Sequence, residues 1–158
     1  MFYVCVTRFN NCTWRENNNW RINNDFNGCI YNTPVYIKSD IPLEMPIYVI
    51  EMNNDTNLII GIGKIYNKVF VDKKYNIYQD KNYNRYTYKG SKYLSREKII
   101  SEKNEIKLVE AIEKSIFKGK GHLKRGHGIN TVNTLIYMKF SRYISELFYN
   151  GSLLEPAP

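Results

Sequence analysis

Long apolar runs are missing from this sequence. No uninterrupted stretch approaches the roughly 18 to 20 residues that cross a bilayer as a helix, so a helical membrane span is excluded. The opening MFYVCVTRFNN has neither the basic start nor the long apolar run of a secretory signal, and an intracellular, cytoplasmic location is the expectation. Cysteine is scarce too. Cys5, Cys12 and Cys29 are too few and too irregularly spaced for a disulfide framework, and no CxxC pair exists to hold zinc. Neither a metal nor a cofactor is expected. Acidic residues are in deficit, with 15 Asp+Glu against 23 Lys+Arg, which leaves a formal charge of +8 and points to an anionic partner.

What is present fits one compact unit. A hydrophobic fraction of 43% in 158 residues supports one core, so residues 1–150 read as a single domain and residues 151–158 as a loose tail. Aromatics reach 15%, with 14 Tyr. Amphipathic rings on a basic chain suit a surface that stacks bases and neutralises phosphates. A coding bias toward A and T, as in the genome of a large DNA virus, enriches Asn, Lys, Ile and Tyr without regard to function. The Asn runs at Asn17 to Asn19, Asn23 to Asn24 and Asn53 to Asn54 fit that second explanation. For a viral chain the location becomes the host cytoplasm.

Residue patterns place the elements. Phe2 to Thr7 is β-branched and aromatic and reads as a buried strand, whereas the polar stretch Asn10 to Thr33 reads as a long irregular excursion. Val35 to Ile37 reads as a short strand. Ile47 to Met52 and Leu58 to Ile65, joined by Asn53-Asn54-Asp55-Thr56-Asn57, read as a hairpin. Gly61 and Gly63 share one face of its second strand, leaving room for another backbone, a bulge or a ligand. Lys68 to Asp72 and Tyr83 to Tyr88 supply two further short strands. Ser95 caps a short turn over Arg96 to Ile100. Asn104 caps a helix from Glu105 to about Lys118 whose apolar stripe is Ile106, Val109, Ile112 and Ile116, with Gly119 at its end. A last helix runs from about Thr131 to Tyr149 and stops at Asn150-Gly151. The fold class is α+β: a small, mostly antiparallel sheet or barrel packed against C-terminal helices.

Chemistry concentrates in the loop Lys118 to Gly128, which holds four Gly and both His of the chain beside Lys118, Lys120, Lys124 and Arg125. Glycine amides nest around an oxyanion and cations add charge-assisted hydrogen bonds, so Lys118, Lys120, His122, Lys124, Arg125 and His127 are candidate phosphate ligands. The alternative is a solvated basic loop. The segment is not a Walker loop: Gly121 to Gly126 has the GxxxxG spacing, but His127-Gly128 stands where Lys and Ser/Thr are required. His122 and His127 are also an acid and base pair in the rival reading, a ribonuclease. Trp14 and Trp20, with Asn19, Tyr31 and Tyr36, are candidates for a base cage; equally, both indoles staple a loop to the core. Arg85, Lys89, Lys92, Arg96 and Lys98 interleave with Tyr83, Tyr86, Tyr88 and Tyr93, either as a backbone-tracking surface or as a solvated sheet face.

The opening strand, the excursion bearing Trp14 and Trp20, the strand Ile47 to Met52 and then Leu58-Ile59-Ile60-Gly61-Ile62-Gly63-Lys64-Ile65 resemble the PUA-like superfamily, its EVE and YTH branches above all. The likeness covers residues 1–68. It implies a small barrel and recognition of a modified or methylated base by aromatics of the excursion. The loop at residues 118–128 and the last helix depart from that pattern. The function expected is recognition of RNA, favoured over DNA, or of a modified or cap-like nucleotide, without catalysis and without a membrane. The rivals are the ribonuclease and a viral protein-interaction module. The oligomeric state is not legible.

Overall fold

The computed structural model describes residues 1–101 and 105–154. In chain order the elements are β1 (Tyr3–Phe9), α1 (Asn11–Asn23), β2 (Cys29–Thr33), β3 (Pro46–Asn53), β4 (Leu58–Tyr66) and a 3-10 turn (Lys81–Asn84). They continue with β5 (Tyr86–Gly90), β6 (Lys92–Ser95), α2 (Arg96–Ile100), α3 (Glu105–Phe117), β7 (Asn130–Thr131) and α4 (Thr134–Leu154). A five-stranded sheet has the order β6-β4-β3-β1-β7, and β2 and β5 form a separate two-stranded ribbon. Among the described residues only β1 and β3 pair in parallel; the other pairs are antiparallel. The architecture is small and α+β, and among the described residues the strands do not close into a barrel.

The main sheet is buried on both faces. Because strand side chains alternate, Val4, Val6, Tyr48 and Ile50 point to one side and Cys5, Ile47 and Val49 to the other. On the first side they meet Val109, Ile112 and Ile116 of α3 and Ile136, Phe140, Ile144 and Phe148 of α4. On the second they meet the ribbon through Cys29, Tyr31 and Tyr88. The ribbon's outer face buries Ile30 against Tyr75 and Ile77, with Trp20 and Phe26 packed alongside.

The hairpin expected at residues 47 to 65 is present as β3 and β4, with Asn57 left-handed at the turn. The short helix after Ser95 and the helix ending before Gly119 also form as the sequence suggests. Asn104 lies outside the described residues. Five expectations differ. Asn10 to Thr33 is not an irregular excursion but α1 and β2, because Asn10 caps the helix: its Oδ1 accepts from Thr13 N at 2.8 Å, and Asn10 N donates to Thr13 Oγ1 at 3.0 Å. Residues 35–37 and 68–72 form no strand; Ile37 N instead donates to the Tyr88 hydroxyl at 3.0 Å, and Phe70 N donates to Thr87 O at 2.8 Å. The 83–88 segment opens in the 3-10 turn and becomes strand only at Tyr86. The last helix starts at Thr134, where Asn133 Oδ1 accepts from Ile136 N at 2.9 Å, since residues 130–131 are held as β7 beside β1. It also continues past Asn150-Gly151 to Leu154.

Candidate nucleic-acid interface

Below the surface, β3 and α1 are joined by a charged cluster. Glu51 is fully buried; its Oε2 accepts from Arg21 at 3.0 Å and from the Tyr31 hydroxyl at 2.8 Å, and its Oε1 accepts from the Tyr93 hydroxyl at 2.9 Å. Arg21 Nε donates to Asn17 Oδ1 at 2.7 Å, one helical turn away. Burial works against the Arg21 charge, yet Glu51 and the two phenols outweigh it and hold the guanidinium above its usual value. Glu51 lies opposite Gly61 at a register shift in the β3–β4 ladder. A Cβ at Gly61 would collide with the Tyr93 hydroxyl, and one at Gly63 with the Tyr31 hydroxyl and Cys29 Sγ. The two glycines of β4 therefore admit the hydroxyls that hold Glu51.

This cluster holds one of the two indoles. Arg21 stacks over Trp14 at 5.1 Å, and Trp14 meets Phe9 edge to face. Trp20 packs on Phe26 and Tyr75. The expected cage of Trp14, Trp20, Asn19, Tyr31 and Tyr36 is not assembled. The two Trp staple α1 to the core, Asn19 is exposed on that helix, Tyr31 is spent on Glu51 at 1% exposure, and Tyr36 stacks on Tyr86 at 3.7 Å between ring centroids. Trp14 does line an open cleft of about 560 Å³ beside Arg21 and Tyr93, but Asp25 and Glu97 line it as well, so it carries both signs.

A different cleft, of about 300 Å³, lies where β1 runs out into α1. One wall is Arg8 and Phe9 at the end of β1. Another is Lys124, Gly126, His127 and Gly128 of the glycine-rich loop, and a third is Tyr78 and Tyr83, which meet edge to face. The loop is held rather than free. Arg8 Nε donates to Leu123 O at 2.5 Å, Arg8 NH1 to Asn130 Oδ1 at 2.7 Å, and Asn54 Nδ2 to Lys124 O at 2.9 Å. Gly126 and Gly128 have φ of +116° and +71°, a region that side-chain-bearing residues rarely enter.

Charge in this cleft is unbalanced. Arg8 bonds only neutral oxygens and has no ion-pair partner among the described residues. Burial lowers its affinity for a proton, with no carboxylate to counter the effect. Among the described residues no Asp or Glu lines the cleft. The Asn54 side-chain Oδ1 at its edge is sealed from solvent and accepts no hydrogen bond among the described residues. The start of α1 adds nothing to this imbalance, because Asp55 accepts from Asn11 N at 2.8 Å and Asn10 takes Thr13 N.

Of the residues expected to hold phosphate, Lys124 and His127 line this cleft and Arg125 lines a smaller one of about 260 Å³ that shares Arg8 and Gly126. Lys118, Lys120 and His122 line neither. His122 Nδ1 accepts from Lys124 N at 3.2 Å, which assigns that nitrogen to shaping the loop. The two histidines are therefore not gathered in one cleft as an acid and base pair would be. Sequence reasoning missed Arg8, whose only signal was a cation at the end of a buried strand just before a helix cap. It also missed Asn54 and Tyr78. No family model, curated protein or solved structure matches this chain. Among the described residues no group of His, Cys, Asp and Glu is arranged to hold a metal, and no helix is long and apolar enough to cross a membrane.

Proposed function

We propose that this protein is a nucleic-acid-binding module that grips a nucleotide phosphate in the cleft between the end of β1 and the glycine-rich loop, without catalysing a reaction. One observation carries the reading: the half-buried Arg8 guanidinium, in no ion pair among the described residues although Asp40 lines the adjoining smaller cleft, shares with Lys124, His127 and two left-handed glycines a cleft that no described acidic residue lines. A cation that has shed water without gaining a counter-ion is stabilised by an anion that brings its own charge. Tyr78 and Tyr83 supply ring surface beside it for a base, in place of the indoles. The resemblance of the Gly61-Ile62-Gly63 hairpin to PUA-like domains of the EVE and YTH branches favours RNA over DNA, and leaves a modified base within the class of ligands.

Fluorescence anisotropy of a 5′-phosphorylated oligoribonucleotide at several salt concentrations tests this. Lys124→Glu with Arg125→Glu weakens binding and flattens the salt dependence, since every phosphate that is no longer neutralised takes about 0.7 off the slope for a single strand. Equal affinity of the wild type and the double variant at every salt concentration contradicts the proposal. Cleavage of the RNA that His127→Ala abolishes would transfer the site to the nuclease reading.

A further inference from the structure

A second basic cleft, of about 680 Å³, lies on the other side of the segment that carries Tyr83. Lys73, Lys74, Lys81 and Arg85 line it, none of them in an ion pair among the described residues, and it has no acidic lining residue. Two carboxylates stand next to it in sequence: Asp72 accepts from the Tyr75 hydroxyl with both oxygens at 3.0 Å, and Asp80 Oδ1 accepts from Asn82 N at 3.0 Å. At its rim Tyr86 is covered by Tyr36, and that outer ring is 60% exposed, an apolar plane held open to solvent.

The two clefts are neighbours, and side chains that line one are hydrogen-bonded to side chains that line the other. Asn32, which lines the first, donates through Nδ2 to Oδ1 of Asn84, which lines the second, at 2.9 Å. Thr87 of the second donates to Asn32 Oδ1 at 2.6 Å. Two separate stretches of chain also run from one cleft to the other: Pro34 to Tyr36, and Tyr83 to Tyr86. From this arrangement we infer that the second cleft continues the first as a track for single-stranded nucleic acid. In it Lys74 and Arg85 follow successive phosphates, and the Tyr36–Tyr86 pair is a platform on which an unpaired base stacks. The inference rests on the phosphate reading of the first cleft. A single strand is favoured over a duplex because only an unpaired base offers its face to an exposed ring. It is favoured over an acidic protein because the rings and the cations lie together.

The test uses the full chain and two ligands, uridine 5′-monophosphate followed by NMR titration and a single-stranded oligoribonucleotide of about ten nucleotides followed by anisotropy. Lys74 and Arg85 are exposed and Tyr36 is a surface ring, so Lys74→Gln with Arg85→Gln, and Tyr36→Ala, leave the fold intact. The paired Gln variant binds the mononucleotide as the wild type does. It binds the oligonucleotide about tenfold more weakly, with a salt slope shallower by about 1.4. Tyr36→Ala weakens the oligonucleotide about tenfold without changing the slope. Lys124→Glu weakens both ligands. If the paired Gln variant and Tyr36→Ala keep wild-type oligonucleotide affinity while Lys124→Glu loses it, the track is overturned and the first cleft stands. If Lys124→Glu leaves both ligands unaffected, the reading of the first cleft fails, and the track as its continuation fails with it. Equal affinity for polyglutamate or for an RNA duplex of the same length overturns the single-strand assignment.

Discussion

Glu51 illustrates how single residues set this structure. A carboxylate with no exposure is tolerated only when its oxygens are answered, and here one guanidinium and two phenols answer them. Glu51→Gln leaves Arg21 charged and unpaired in the interior, and its expected cost is about 3 to 5 kcal/mol in urea denaturation. Arg21→Met combined with Glu51→Leu costs less than either single change, because no lone charge remains. The buried thiols make a second residue-scale prediction. Burial, with Asp40 contributing, pushes Cys5 up to about 12, and burial with Glu51 nearby pushes Cys29 up to about 12, from an ordinary 9.0. Unfolded, both thiols release protons near their ordinary value; folded, they keep them until about 12. Between those values the unfolded chain binds fewer protons than the native one, so stability falls as pH rises through that window. The urea midpoint should decline steadily from about pH 9 upward, and a midpoint flat to about pH 10.5 contradicts this assignment.

At the scale of elements, α1 is the instructive case. Its buried positions are Asn17 and Arg21, four apart but polar, so no apolar stripe announced a helix and the segment read as a loop. The signal that was present is the cap: Asn10 followed three residues later by Thr13, bonded reciprocally. Asn10→Ala should cost about 1 kcal/mol, measured by chemical denaturation. No change would mean that the interior contacts of Arg21 alone hold the helix. By contrast β1, the β3–β4 hairpin and α3 were legible, because their burial follows the period of 2 or 3.6 residues written in their apolar residues. The segments at 35–37 and 68–72 carry strand-forming residues yet pair with nothing continuous, since sheet formation needs a partner edge as well as propensity. Thr131 falls inside the expected last helix but is strand for the opposite reason: a free edge of β1 claims it together with Asn130.

Across the whole molecule the excess charge of +8 is not spread evenly. Ion pairing is spent in the interior, at Arg21 with Glu51 and at Arg96 with Glu113, and on the outside at Arg142 with Glu146. Two acid-free clefts flank the 78–86 segment and keep their cations unmatched. The glycine-rich loop was visible in the sequence as a phosphate candidate, and its Lys124 and His127 do line a cleft. The opposing wall was not visible, because Arg8 and Asn54 come together through the pairing that sets β1 beside β3, and Tyr78 is held there by Asn17 of α1 and by Asn84. The Trp cage failed for a related reason. Spacing placed both indoles near Asn and Arg, but the buried Arg21 drew one of them inward and the ribbon's outer core took the other.

The central claim is that the cleft at the end of β1 holds a phosphate, and amide chemical-shift mapping reads it directly. On titration of the ¹⁵N-labelled chain with uridine 5′-monophosphate, the largest shifts should fall on the amides of Lys124, Gly126, His127 and Gly128 and on the Arg8 Nε–H. Shifts concentrated instead around Trp14 and Tyr93, or no saturable shift at any of the named groups, would contradict the account.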